Sequence, residues 1–426
     1  MFTNDSASGL QQTTSYKVVL PFYIFAALSF LISCTLLLLN TDIIHQHYFH
    51  PQTLAITHLM ALGWGTMIIL GASHQLLPVL IEGKLDSYLL ALLSFVFAAT
   101  GIPLLVTGFY LFNTGLILQT GAVLINASVI CYFLNVIASI SESKKYNVHA
   151  FFIAAASLWL FATTFFGLLL VFNFSRSWLP ENSIEYLSIH AHMGLAGWFL
   201  LLIIGVGSRL IPMFLISKYS SPKTLWWIFA LINIALFGFI FLKTSDAFEK
   251  LYYTPFLLAL FALSLFGNYC YRAYKERIRK HVDEQMKVSL LSVAMLILPL
   301  LSLMVVIYFI RENSGSNLVL LYGFCIFFGW ITAIIMGMTF KTLPFIVWTK
   351  VYHSRVLGKT PAPKELFSEN LFKVMGLLYL SGFILFLAGI LLLNDLLLKS
   401  GAAFLLASAI VYVINVAKTV FHQAKG

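Results

Sequence analysis

Two histidines stand inside long apolar stretches of this sequence, where an imidazole is expensive. His58 opens the stretch "HLMALGWGTMIILGASHQLLP", and His192 opens "HMGLAGWFLLLIIGVGSRLIP". Ionisable side chains within a membrane are rare and generally serve a function. A neutral imidazole is a common ligand of transition metals. The first chemistry that these residues suggest is therefore ligation of a metal or of a haem iron inside a membrane.

The composition identifies the class of protein that must position these histidines. Of the 426 residues, 60% are hydrophobic and only 10% are charged, whereas soluble domains carry about 25% charged residues. Apolar stretches of about 20 residues, enough to cross a bilayer, recur along the whole chain. Breaks at charged residues, Gly, Pro and Asn predict an all-α polytopic membrane protein of about twelve transmembrane helices: 18–40, 52–80, 86–110, 113–140, 149–173, 186–214, 224–242, 252–273, 288–311, 316–347, 369–393 and 398–420.

Lys and Arg are concentrated in one set of connecting segments. This set includes "YRAYKERIRKHVDEQMK" and the segment from Lys350 to Lys373, while the opposite set is nearly bare. Because such an excess marks the cytoplasmic side, we expect a protein of the inner (cytoplasmic) membrane with both termini cytoplasmic. Arg209 and Lys341, near the inner ends of two spans, are expected to extend to that surface. The net charge of +10 then needs no nucleic-acid partner, and the expected partner is the lipid bilayer.

The two histidine-bearing stretches match each other at a constant offset of 134 residues, which aligns Gly-Trp pairs, a later Gly and a closing Pro. A third copy, "CIFFGWITAIIMGMTFKTLP", follows after a further 132 residues, with Phe324 in the histidine position. Fixed repeats of this kind are typical of membrane proteins built from duplicated helix groups. We therefore predict a single domain over 1–426, made of three pseudo-symmetric four-helix repeats: 18–140, 149–273 and 288–420. The prolines are expected to end each apolar run, and the glycines to let the central helices approach one another.

Twelve spans in three groups of four resemble subunit I of the haem–copper oxidase superfamily, which includes the cytochrome c and quinol oxidases. The segment "HLMALGWGTMIILGASHQLLPVL" is similar to the second helix of that family, where a histidine ligates haem. The resemblance covers the full length as topology, but its sequence motifs are confined to the second and sixth spans. It implies a haem cofactor and a cytochrome or a quinol as the electron donor.

The sequence departs from this family at the positions that would reduce oxygen. The resemblance implies further haem ligands on the tenth helix and an adjacent histidine pair for copper on the seventh, yet the corresponding spans contain no histidine. The tyrosine that follows the sixth-helix histidine in many oxidases is replaced by Ala196. We therefore expect a divergent member that does not reduce oxygen.

What remains is a smaller set of histidines. His58 and His192 occupy equivalent positions, so we expect them to hold one b-type haem, with one imidazole on each face of the iron. His190 is a further metal-ligand candidate, but it lies two residues before His192, so at most one of the two can face the interior of a helical bundle. The alternative is that each histidine simply donates a hydrogen bond to a neighbouring carbonyl.

A second group of candidate metal ligands lies in the loop "HQHYFHP" before the second span. His45, His47 and His50 have the side chains that Cu²⁺ or Zn²⁺ prefers, so a copper site is a second hypothesis, and an ordinary polar loop is the alternative.

The function expected from these residues is haem binding in respiratory electron transfer or in a nitric-oxide or redox response. The alternative is a transporter, or a copper-handling or assembly protein, without haem. Every Asp and Glu falls in a loop or at a span end, which removes the usual coupling group of a transporter.

Overall fold

The computed structural model describes residues 14–143, 147–245, 249–309, 316–352 and 360–424. Within these residues the chain is helical, and twelve helices are long and apolar enough to cross a membrane. Helices dominate because a bilayer offers the backbone no hydrogen-bond partners, so each span must satisfy its own N–H and C=O groups. The prediction of an all-α, twelve-span membrane protein is confirmed. The spans, α1 to α12, are Tyr16–Leu39, Pro51–Leu80, Tyr88–Tyr110, Leu116–Ser141, Val148–Arg176, Leu187–Leu215, Pro222–Thr244, Lys250–Lys275, Glu284–Phe309, Ser316–Tyr352, Glu369–Leu392 and Asp395–Val420.

The break between α3 and α4, which the sequence marks only by "YLFNTG", contains a residue with a left-handed backbone conformation. Phe112 has φ 49°, and the N–H of Asn113 donates to the carbonyl of Gly108 at 2.8 Å. This bond closes the helix in the manner of a Schellman cap. A side chain at positive φ is strained, so the turn here is held by its hydrogen bonds rather than by glycine.

Three segments of π-helix lie at matching positions of α2, α6 and α10. π-Helix accounts for well under 1% of residues in proteins and is found mostly at functional sites. Each segment directly follows the residue at the histidine position of the repeat, so all three copies share one local backbone. The segments are Leu59–Thr66, Met193–Leu200 and Cys325–Ile331.

Pro78 leaves a carbonyl without its helical donor, and another part of the chain supplies one. Proline has no N–H, so the carbonyl of His74, four residues earlier, receives a hydrogen bond from the hydroxyl of Thr14 at 2.6 Å instead. The helix then ends where the N–H of Gly83 donates to the carbonyl of Pro78 at 3.0 Å.

Pro212 repeats this arrangement in α6. The carbonyl of Ser208, four residues before it, accepts from the hydroxyl of Tyr269 at 3.1 Å. The N–H of Ser217 donates to the carbonyl of Pro212 at 2.9 Å. In the third copy the expectation that proline ends the span is wrong, because α10 continues past Pro344 to Tyr352.

The central helices pack closely against the helix that precedes each of them. A methyl group on Gly63 would lie 2.7 Å from Ser29 Oγ, and one on Gly197 would lie 2.7 Å from Trp159 Cβ. These glycines therefore face the first helix of their own repeat, rather than another central helix as the sequence suggested. The contacts are Gly63 with Ser29, Gly197 with Trp159, and Gly337 with Gln285.

A second repeated feature, which was not predicted from the sequence, links the first and third repeats. Asn135 of α4 accepts from the backbone N–H of Ser87 at 2.9 Å and donates to the Ser87 carbonyl at 2.9 Å. Asn415 of α12 makes the same pair of bonds with Ser368, at 2.8 and 3.1 Å. Both amides are fully buried. The side chain of the fourth helix thus holds the start of the third helix in both places.

The described chain forms two compact units. The first contains Leu70–Leu105 and Thr114–Lys280 together with residues up to Val19. The second contains Leu20–Ile69, Val106–Asn113 and the chain from His281 onward. These limits differ from those of the three sequence repeats, and they place His58 in the second unit and His192 in the first.

Candidate functional site

His58 is the last α-helical residue before the π segment of α2. Its Nδ1 lies 2.7 Å from the carbonyl oxygen of Leu54, one turn earlier. The imidazole stacks on Phe109 of α3, with ring centroids 4.6 Å apart. The residue is partly exposed, and its ring is held on one edge by the Leu54 carbonyl and on one face by Phe109.

His192 has the same environment in the second repeat. It is the last α-helical residue before the π segment of α6, and its Nδ1 lies 2.7 Å from the carbonyl oxygen of Ser188. The ring lies against Phe239 of α7, at a centroid distance of 4.8 Å, and it is also partly exposed. Because α3 and α7 are both third helices of their repeats, the two histidines match in neighbours as well as in sequence.

The hydrogen bond to a carbonyl determines the chemistry of each ring. A carbonyl oxygen can only accept, so Nδ1 of His58 and of His192 must carry the hydrogen. In a neutral imidazole the lone pair is then on Nε2. Histidines that ligate metals generally donate their other ring N–H to a carbonyl or carboxylate, which orients the ring and strengthens the ligand. This is the bond expected of a histidine that only donates to a neighbouring carbonyl, and it also leaves on Nε2 the lone pair that an axial haem ligand needs.

The third copy carries a cluster of aromatic rings instead. Phe324 is buried, and its ring stacks on those of Phe328, Phe383 and Phe386, at centroid distances of 5.2, 5.3 and 4.7 Å. The last two belong to α11, the third helix of this repeat. The same contact between second and third helices is thus kept, but its chemistry is entirely apolar.

His190 has neighbours different from those of His192. A methyl group on Gly167 of α5 would lie 2.8 Å from the His190 ring, and Phe166 of the same helix lies at a centroid distance of 6.5 Å. His192 faces α7 instead. The two side chains therefore point to different sides of α6, in agreement with their spacing.

The histidines of the loop before α2 are engaged separately. His45 Nε2 lies 2.8 Å from Asp395 Oδ1, and His47 Nδ1 accepts from the backbone N–H of Phe49 at 3.1 Å. His50 precedes the first residue of α2. Among the residues that the structure describes, no group of three or more His, Cys, Asp or Glu is arranged to hold a metal ion. The three-histidine copper site stays a prediction.

The partly exposed lysine of α10 has an acidic partner. Lys341 pairs with Asp283, which also accepts from the N–H of Met286 at 3.1 Å as the N-cap of α9. Its ammonium group is therefore held by a carboxylate at the end of a neighbouring span, and its extension to the cytoplasmic surface stays a prediction. Arg209, its counterpart in α6, is exposed.

No protein-family model and no curated protein matches this chain.

Proposed function

We propose that this protein is an integral membrane protein of oxidase subunit I-like fold that binds b-type haem, with His58 and His192 as axial-ligand residues. The observation that carries the proposal is the repeated geometry of the two rings. Each donates Nδ1–H to the carbonyl four residues earlier at 2.7 Å, each packs on an aromatic ring of the third helix, and each precedes a π segment.

Bound haem supplies reversible one-electron chemistry, and the chain supplies the environment. The carbonyls of Leu54 and Ser188 hold the imidazoles in a single tautomer, so that Nε2 is the ligating nitrogen. Phe109 and Phe239 restrict rotation of the rings and keep water away from one face of each. The third copy, with Phe324, contributes packing and no ligand.

Electron transfer or a nitric-oxide or redox response suits this residue set better than oxygen reduction. Neither α7 nor α10 contains a histidine, so the three-histidine copper site and the second haem of the oxidases lack their ligands. In this proposal the donor is a membrane quinol or a cytochrome, and the protein resides in the cytoplasmic membrane.

The test is a visible absorption spectrum of the purified protein, oxidised and then reduced with dithionite. We expect a Soret band that shifts on reduction, and the pyridine haemochrome assay gives the haem content per chain. His58→Ala and His192→Ala are each expected to lose or shift the band. His190→Ala serves as the matched control, because it removes an imidazole from the same turn of α6 and should leave the spectrum unchanged.

Ligation can be separated from folding by chemical rescue. Added imidazole is expected to restore the band in the alanine variants if the side chain acts as a ligand. A wild-type protein that is colourless overturns the proposal. Stoichiometric copper in such a preparation supports copper handling, and a metal-free preparation supports a transport or assembly role.

A further inference from the structure

The segments that follow α6 and α8 are joined by a short β-bridge. The N–H of Ile278 donates to the carbonyl of Ile216 at 3.1 Å, and Ser217 and Arg277 form an isolated antiparallel bridge. All of these residues belong to the first compact unit. Two segments that are about 60 residues apart in the chain are therefore held side by side where two spans end.

The two bridged segments are rich in basic side chains. Within 271–281 there are five Lys or Arg and a single acidic residue, Glu276, and within 213–223 there are two Lys and no acid. The guanidinium of Arg277 lies 3.9 Å above the ring of Tyr274 and donates to its carbonyl at 2.8 Å. We call the following set the basic clip: Lys218, Lys223, Arg277, Arg279 and Lys280. All except the partly exposed Arg277 are exposed.

Apolar side chains border the basic clip. Ile216 is 55% exposed, Ile278 is 60% exposed and Trp227, near the start of α7, is 66% exposed. Exposed tryptophans are typical of the boundary between lipid headgroups and hydrocarbon. The surface therefore combines cationic groups with apolar area at the end of a membrane span, which matches the two halves of a phospholipid.

We infer that the basic clip binds the headgroups of anionic phospholipids in the surrounding bilayer. Clusters of four to eight Lys and Arg directly beside a membrane span attract anionic lipids. Here the backbone bridge concentrates charges from two separate loops, so the attraction is local and does not arise only from the net charge of the protein. The inference is independent of haem binding, because it uses neither His58 nor His192.

The experiment uses the full-length protein in nanodiscs that contain phosphatidylglycerol and phosphatidylcholine. After extraction, native mass spectrometry counts the lipids of each class that remain bound. For the wild type we expect the ratio of bound phosphatidylglycerol to bound phosphatidylcholine to exceed the ratio in the disc roughly tenfold. The variant Lys218→Gln/Lys223→Gln/Arg279→Gln/Lys280→Gln is expected to retain the two lipids in the disc ratio.

The matched control removes the same number of charges from scattered positions. Lys17, Lys84, Lys364 and Lys373 are all exposed, and their joint replacement by Gln is expected to preserve the enrichment. Equal loss in both variants would show that net charge alone attracts the lipid, and it would overturn the inference. No enrichment in the wild type would overturn it as well. The haem spectrum is not expected to change in either variant.

Discussion

At the scale of single residues, four side chains in or beside the central helices donate hydrogen bonds to backbone carbonyls. The carbonyls of Leu54 and Ser188 each accept Nδ1–H from a histidine one turn later. The carbonyls of His74 and Ser208 lose their helical donors to prolines and accept a hydroxyl group instead. In lipid an unsatisfied carbonyl is costly, so the hydroxyl groups of Thr14 and Tyr269 replace the donors that the two prolines remove.

Tyr269→Phe tests this view of the proline positions. Tyr269 is 2% exposed, and the substitution keeps the ring but removes the donor to the Ser208 carbonyl. We expect a loss of about 0.5–2 kcal/mol in the free energy of unfolding, measured by denaturation in mixed micelles. Tyr271→Phe is the control, because Tyr271 is 61% exposed and should change stability by less than about 0.5 kcal/mol. Equal effects of the two substitutions would contradict the argument.

At the scale of elements, the helices were predictable and their contacts were not. Hydropathy over about 20 residues reports a span directly, which is why all twelve could be placed. A π segment forms where each backbone N–H bonds to the carbonyl five residues earlier instead of four, and hydropathy does not report this difference. The paired hydrogen bonds of Asn135 and Asn415 are made to residues about 48 positions away in the chain. Buried Asn at matching positions of the fourth and twelfth spans was the available signal, but the repeat alignment covered only the central helices.

Glycine substitutions separate close contacts between helices from effects of helix propensity. A methyl group on Gly121 of α4 would lie 2.9 Å from the carbonyl oxygen of Gly101 in α3, and a backbone atom cannot move aside cheaply. We expect Gly121→Ala to destabilise the protein by about 1–3 kcal/mol.

Gly238 in α7 provides the control of opposite sign. No atom lies within 4 Å of a methyl group placed there, so Gly238→Ala should be neutral or should stabilise the helix by up to about 1 kcal/mol. Thermal unfolding of both variants in detergent measures the difference. A Gly121→Ala protein as stable as Gly238→Ala would show that α3 and α4 do not pack closely.

At the scale of the whole molecule, the direction of insertion is the property that charge alone predicts. The excess of Lys and Arg predicts that the termini and the basic clip lie in the cytoplasm and that the loop at 41–50 lies outside. The charge pattern is a property of the chain and needs no knowledge of packing.

Cysteine labelling in intact cells tests this orientation. His47→Cys and Lys280→Cys introduce thiols at exposed positions, while the native Cys34, Cys270 and Cys325 are buried. A membrane-impermeant maleimide is expected to label His47→Cys in intact cells, and Lys280→Cys only after the membrane is permeabilised. Wild-type protein, which retains the partly buried Cys131, gives the background. The reverse labelling pattern would show that the protein is inserted in the opposite orientation.

The amino-acid sequence by itself determined the class of protein, the number of spans, the internal repeat and the two histidines at its equivalent positions. These properties follow from apolar length, charge and spacing, which are local along the chain. Only the tertiary structure decided that both imidazoles donate through Nδ1, that Phe324 is enclosed by phenylalanines, that Lys341 pairs with Asp283, and that two basic loops meet. Each of those facts depends on which partner a side chain or a backbone group finds in the folded protein, and spacing along the chain does not specify that choice.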